Sequence, residues 1–396
     1  MTPRIYLDFA ATTPVDPSVV ESMLPYFTEH GYNPSSVHTE GRAARAALDD
    51  ARDRVARVLG SARKEITFVA SGSEADNQAI LGIARRHSQR GKHIVSSAIE
   101  HHAVLHALDV LAAEGFEITL LPVDESGRID AVEFEASLRA DTTLATIAYA
   151  NNEIGVVQPI ARLAEIAREH GVIFHTDAIQ APGWLPIQVG PLGVDLVSLS
   201  AHKFYGPKGV GVLYARDGVS IPPLVHGGGQ EFGRRSGTEN VAGIVGLATA
   251  LERAAADQPV RAERVAKMRD RLEREILERV PDARINGAGA VRLPNNANIS
   301  FGGVDSETLL MRLDLEGIAV SAGSACTSGA LEPSHVIAAL GIDSRWHEGV
   351  IRFSLGASTQ DAEIDRVIDV LQGVVVDLRG NRVSARKAPR REGEEF

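Results

Sequence analysis

The chain has 396 residues, enough for two domains, and its 44% hydrophobic and 23% charged content excludes disorder, collagen and coiled coil as descriptions of the whole. With 41 Lys plus Arg against 52 Asp plus Glu, the net charge of −11 disfavours phosphate backbones and anionic lipid, so neither nucleic acid nor a membrane is an expected direct partner. The single cysteine, Cys326, excludes an internal disulfide; with no long apolar run and no leader-like start, the expected location is the cytoplasm.

Along the chain, β-rich runs at 66–70, 93–97, 117–122, 143–149, 172–175, 196–200 and 210–214 alternate with helical patterns. Seven strands with helices between them predict a mostly parallel sheet covered on both faces, with ligands at the carboxyl ends of the strands. The loops expected there are polar: SGSEAD, EHHAV, ANNEIG, HTDAIQ and SAHKFYG. A charged helical connector, broken at Pro259, is expected to run to Val280. Strand signals at 298–301 and 350–354 and amphipathic helices at 306–316 and 362–378 predict a small α+β domain. The domains expected are a large one over 16–258 and a small one from 1–15 with 259–380. From Asn381 the chain is basic, then acidic, with almost nothing apolar, and 381–396 is expected to be a disordered tail.

Ser71 and Glu74 have capping-box spacing, and Gly72 and Ser73 leave N–H groups and a hydroxyl at a helix start. That is an anion site in form, although a plain helix cap accounts for the same spacing. Lys203 follows a core strand and precedes a Gly/Pro turn, where a partly desolvated amine can form a Schiff base; an ordinary loop lysine is the alternative. Asp177, just past another core strand, shifts the balance, because an amine and a carboxylate at strand ends are what pyridoxal phosphate requires. His175 and Asp177 have no matching third ligand, and no metal is expected.

In order and at fitting intervals, SGSEADN, EHHAV, NNEIGVVQ, HTDAIQ, SAHKFYGPKG, RRSGTEN and SAGSACTSGALEPSHV run through nearly the whole chain before the tail. Together they resemble the pyridoxal-phosphate cysteine desulfurases of the iron-sulfur cluster assembly and thiolation type, within the class V aminotransferases. The resemblance implies the aspartate aminotransferase-like fold of pyridoxal-phosphate transferases. It implies that Lys203 holds the cofactor covalently and moves the substrate α-proton, that Asp177 keeps the pyridine nitrogen protonated, and that His101 stacks on the ring and assists proton transfer. Asn152 and Gln180 would bond the substrate side and the ring oxygen, and Gly72, Ser73, Ser200 and His202 would hold the phosphate. Thr238 would complete the phosphate site of a neighbouring subunit in a homodimer. Arg352 would fork onto the substrate carboxylate, and Asn33 would line the entrance with the rest of 33–38. Ser73 stands where many relatives have threonine, which keeps the hydroxyl.

A lone cysteine is often a buried small hydrophobe. The small, polar neighbours of Cys326 argue instead for an exposed, mobile thiol able to take a sulfur atom and carry it outward. The activity implied is conversion of L-cysteine to L-alanine, with the sulfur passing as an enzyme persulfide to an acceptor protein for iron-sulfur cluster assembly or tRNA thiolation.

Overall fold

The computed structural model describes residues 4–323 and 334–387, the last seven as backbone. Its strands are β1 (Ile5–Tyr6), β2 (Ile66–Val69), β3 (His93–Ser97), β4 (Glu117–Leu121), β5 (Thr142–Thr146), β6 (Ile173–Asp177), β7 (Leu196–Ser200), β8 (Gly211–Ala215), β9 (Ala283–Ile285), β10 (Asn296–Phe301), β11 (Ile318–Ala319) and β12 (Val350–Ser354). The seven expected strands form one sheet in the order β2-β8-β7-β6-β5-β3-β4, in which only β8 runs against its neighbours. Strands β2, β3, β5, β7 and β8 are buried at every position, whereas the edge strand β4 is mostly open. Their Val, Ile, Leu and Thr content suits a sheet covered on both faces.

Successive strand residues point to opposite faces. Val95, Val197 and Leu199 therefore join a core with the helices Thr39–Leu59 and Ile160–Glu169, while Ile94 and Leu196 join another with Gly72–His87 and His102–Ala113. A separate core holds the antiparallel sheet β12-β10-β9, the parallel pair β1-β11 and the helices Ser306–Leu315 and Asp361–Lys387. Ile5 and Leu7 pack in this last core, so the start of the chain crosses to residues more than 300 positions away.

Two expectations are corrected. The connector is not broken at Pro259: one helix, Val241–Arg279, runs through it. A mid-helix proline costs about 3 kcal/mol, but Val245, Leu247 and Leu251 sink into one core and Met268, Leu272 and Ile276 into another, which outweighs that cost. The expected tail boundary at 381 also falls inside a helix, since Asp361–Lys387 continues past it; residues 388–396 lie outside the described part. Among the described residues no helix is long and apolar enough to cross a membrane.

Candidate active site

The carboxyl ends of β2, β3, β5, β6 and β7 bring the predicted residues to one edge of the sheet. Beyond β2, Ser71 caps the helix Gly72–His87, its Oγ accepting from the Glu74 N–H at 3.1 Å. The capping box is only half formed, because Glu74 accepts from the Ala70 N–H at 2.9 Å and pairs with Arg235 at 2.9 Å. The first N–H groups of this helix have no intrahelical acceptor and face the end of β7. A Cβ at Gly72 would come within 3.1 Å of the Ser200 Cβ, so a glycine lets helix start and strand end meet. Gly72 and Ser200 thus lie close together, with Ser73 and His202 close by along the chain, and bare N–H groups at a helix start are the donors a phosphate takes. His202 sits in the 3₁₀ turn Ala201–Lys203, its Nδ1 3.1 Å from the Thr12 Oγ1; burial, then the Lys203 charge, holds its ring down to about 4.

The next turn of chain carries the amine. Lys203 Nζ donates to the carbonyls of Ala10 and Ala11 at 2.6 and 2.8 Å, and Gln180 Nε2 donates to the Ala10 carbonyl at 3.0 Å. Asp177 ends β6, 7% exposed, its Oδ1 accepting from the Ile179 N–H at 2.9 Å. Burial pushes this carboxyl up to about 6, against the pull of that N–H and of Lys203. A cationic ring nitrogen would supply the charge that the buried acid lacks. Behind it, His175 is held between the Thr146 and Ser198 hydroxyls at 2.8 and 2.9 Å. His101 caps the helix His102–Ala113, its Nδ1 accepting from the Ala103 N–H at 3.1 Å, which leaves the proton of the neutral ring on Nε2. Burial, then the Lys203 charge, lowers that ring to about 4.

Arg352 lies in the middle of β12, buried to 1% exposure. Its Nη2 donates to Asp8 Oδ1 at 2.8 Å and its Nη1 to the Asn152 carbonyl at 2.9 Å, so both arms of the fork hold protein oxygens. The structure therefore unites Lys203, Asp177, His101, Gln180, His202, Arg352 and Asn152 around the segment 8–13. Thr238 stands elsewhere, in a cleft with Phe68, Arg235 and Glu239. Asn33 caps its own turn, accepting from the Ser35 N–H at 2.8 Å. Cys326 lies outside the described residues.

The sequence reading missed Asp8, Ala10, Ala11 and Thr12. Three of these act through backbone oxygens or a lone hydroxyl, which carry no motif, and their partners lie 170 to 193 positions away. Asp8 could have been found only as an acid beside a strand signal. The lysine, the buried acid and the bare helix start fit pyridoxal phosphate: the amine would hold it, Asp177 would face its ring nitrogen, and the N–H groups at the start of the helix Gly72–His87, without intrahelical acceptors, would meet its phosphate.

The family model for class V aminotransferases matches residues 5–367. The cysteine desulfurase IscS of Dictyoglomus turgidum is 48% identical over 379 residues, 96% of each chain. Among solved structures, a NifS-like protein superposes with a TM-score of 0.89 at 37% identity, over 94% of this chain and 100% of that one. Another, SspA in complex with cysteine, gives 0.79 at 37% identity, over 89% and 98%. Near full-length identity of this order, on the same fold and with a lysine and acid placed for the cofactor, shows that the chain belongs to the pyridoxal-phosphate-dependent cysteine desulfurases of the class V aminotransferase family.

Proposed function

We propose that this enzyme converts L-cysteine to L-alanine and leaves the sulfur as a persulfide on Cys326, from which a protein acceptor takes it for iron-sulfur cluster assembly or tRNA thiolation. The observation that carries the reading is the meeting of Lys203, Asp177 and His101 beyond the carboxyl ends of β7, β6 and β3, with the Lys203 charge acting on both of the others. Arg352 and Asn152 receive the substrate carboxylate end, and the Lys203 amine moves the proton at Cα. Pyridoxal phosphate, held by Lys203, Asp177, Gln180, Gly72, Ser73, Ser200 and His202, supplies the electron sink for that proton's removal. The Cys326 thiolate then attacks the substrate sulfur. An S–S bond forms, the substrate C–S bond breaks, and its electron pair, with a proton, completes the methyl group of alanine; the net change is cysteine plus thiol to alanine plus persulfide.

The reading places the protein in the cytoplasm as a homodimer, with Thr238 completing the neighbouring phosphate site and Asn33 at the entrance. A large domain over 16–258 accompanies it, with a small one built from 1–15 and the chain from 259 onward, whose last helix runs to Lys387. The SspA structure, solved with cysteine, supports the substrate. The test compares the wild-type holoenzyme with Cys326→Ser. The wild type should release alanine and carry one extra sulfur on the Cys326 peptide by mass spectrometry, whereas the variant should change colour with cysteine yet release almost no alanine. Alanine formation at the wild-type rate by a well-folded Cys326→Ser protein would remove Cys326 from the mechanism and favour a lyase of the wider aminotransferase fold.

A further inference from the structure

Residues 323 and 334 flank the stretch that holds Cys326, and both meet one buried carboxylate. Ser334 Oγ donates to Glu153 Oε2 at 2.5 Å, while the same oxygen lies 2.8 Å from where a Cβ on Gly323 would stand. That hypothetical Cβ is also 3.6 Å from the Ser334 Cβ, so the two flanks approach each other across the Glu153 side chain. Gly323 has φ +89, a conformation that glycine adopts without strain, and any side chain there would collide with the carboxylate.

Glu153 is itself held rigidly. It is 1% exposed, its N–H donates to Asn151 Oδ1 at 2.9 Å, and its carbonyl accepts from Asn298 Nδ2 at 3.1 Å. The next residue back, Asn152, is tied through its carbonyl to the Arg352 guanidinium. The Arg352 backbone in turn exchanges two hydrogen bonds with Ser321, at 2.6 and 3.2 Å, and Ser321 Oγ donates to the Gly323 carbonyl at 3.3 Å. One short network therefore joins the residues expected to grip the substrate carboxylate to both flanks of the Cys326 stretch.

We propose that Glu153 is a positioning residue, clamping together Gly323 and Ser334, the two described residues on either side of the Cys326 stretch, at a set place relative to Arg352 and Asn152. The proposal rests on the reading that Cys326 receives the sulfur, but the clamp has a signature of its own. Cys326 is the chain's only cysteine, so a maleimide fluorophore labels that position alone and reports its restraint without catalysis.

The experiment uses the holoenzyme in four forms: wild type, Glu153→Ala, Glu153→Gln and Ser334→Asp. Glu153→Gln keeps an oxygen that accepts from Ser334. Ser334→Asp keeps an N-cap for the helix His335–Ala339 while setting a like charge against Glu153. The Ala and Asp forms should lower the anisotropy of the Cys326 fluorophore and slow persulfide formation by about tenfold or more, as expected when a reacting group is misplaced. Their spectral change on adding cysteine should remain, because it precedes sulfur transfer. Glu153→Gln should stay near wild type, and adding Glu153→Gln to Ser334→Asp should restore it, since the amide donates to the new carboxylate. If Glu153→Ala fails to fold, Ser334→Asp carries the test alone. Unchanged anisotropy in folded Glu153→Ala or Ser334→Asp, or an equal loss in Glu153→Gln, would overturn the clamp. An anisotropy response as described with no persulfide on wild-type Cys326 would instead overturn the sulfur-receiving role and leave the clamp standing.

Discussion

Arg352 and Asp8, 344 positions apart in the chain, form a 2.8 Å ion pair in which the guanidinium side chain is 2% exposed and the carboxylate 20%. Removing one partner of such a pair leaves a buried charge uncompensated. Asp8→Ala should therefore lose about 3 kcal/mol of stability in urea unfolding. The guanidinium would then gain a carboxylate partner only on binding substrate, so KM for cysteine should fall in the same variant. A rise in KM would place Asp8, and not the substrate, as the group Arg352 serves.

Lys203 Nζ sits against the Ala10 and Ala11 carbonyls with Asp177 and His101 in reach of its charge. Lys203→Ala should leave no covalently attached cofactor after borohydride reduction and peptide mapping. Turnover should drop by roughly three orders of magnitude or more, as when a nucleophile that acts in a unit is removed. Cofactor recovered on another lysine would sink the assignment.

Asp177→Asn replaces a buried carboxylate with an amide that cannot hold a proton on the ring nitrogen. The fold should persist and kcat should fall by about a hundredfold or more, in line with the loss of one preorganised electrostatic partner. Burial pushes the acid up, and a cationic ring nitrogen beside it would favour its ionised form. Wild-type turnover with normally bound cofactor in Asp177→Asn would show that Asp177 is not the ring-nitrogen partner.

Burial holds His175 down to about 3, below its ordinary 6.5. With the folded value depressed, the stability it contributes is complete above pH 6.5 and is lost as pH falls toward 3. At about 1.4 kcal/mol per unit the loss amounts to several kcal/mol. His101 and His202 act in the same direction. The buried acids Asp76, Glu100 and Asp177, pushed up by burial, act the other way, so the check is the difference between two proteins: in urea unfolding of the cofactor-free forms, wild type should lose more stability, or gain less, between pH 6.5 and 4 than His175→Asn, which takes up no proton. Equal slopes in the two proteins would rule out His175 as the titrating group.

Sequence alone determined the seven strands and the loops at their carboxyl ends, and it singled out Lys203 and Asp177 as candidate chemical groups, while His101 entered only through the family resemblance. Strand and helix periods are local, and a lysine or an acid just past an apolar run is visible without knowing its neighbours. Only tertiary structure decided the rest. The helix through Pro259 persists because side chains on either side of the proline bury in separate cores, a fact that local propensity cannot register. Asp8, Ala10 and Ala11 reach the site because the start of the chain packs against β12 and β11, and Glu153 gains its role from Ser334, 181 positions away. Contacts at such separations follow from how layers stack, and they leave no periodic trace in the residues that make them.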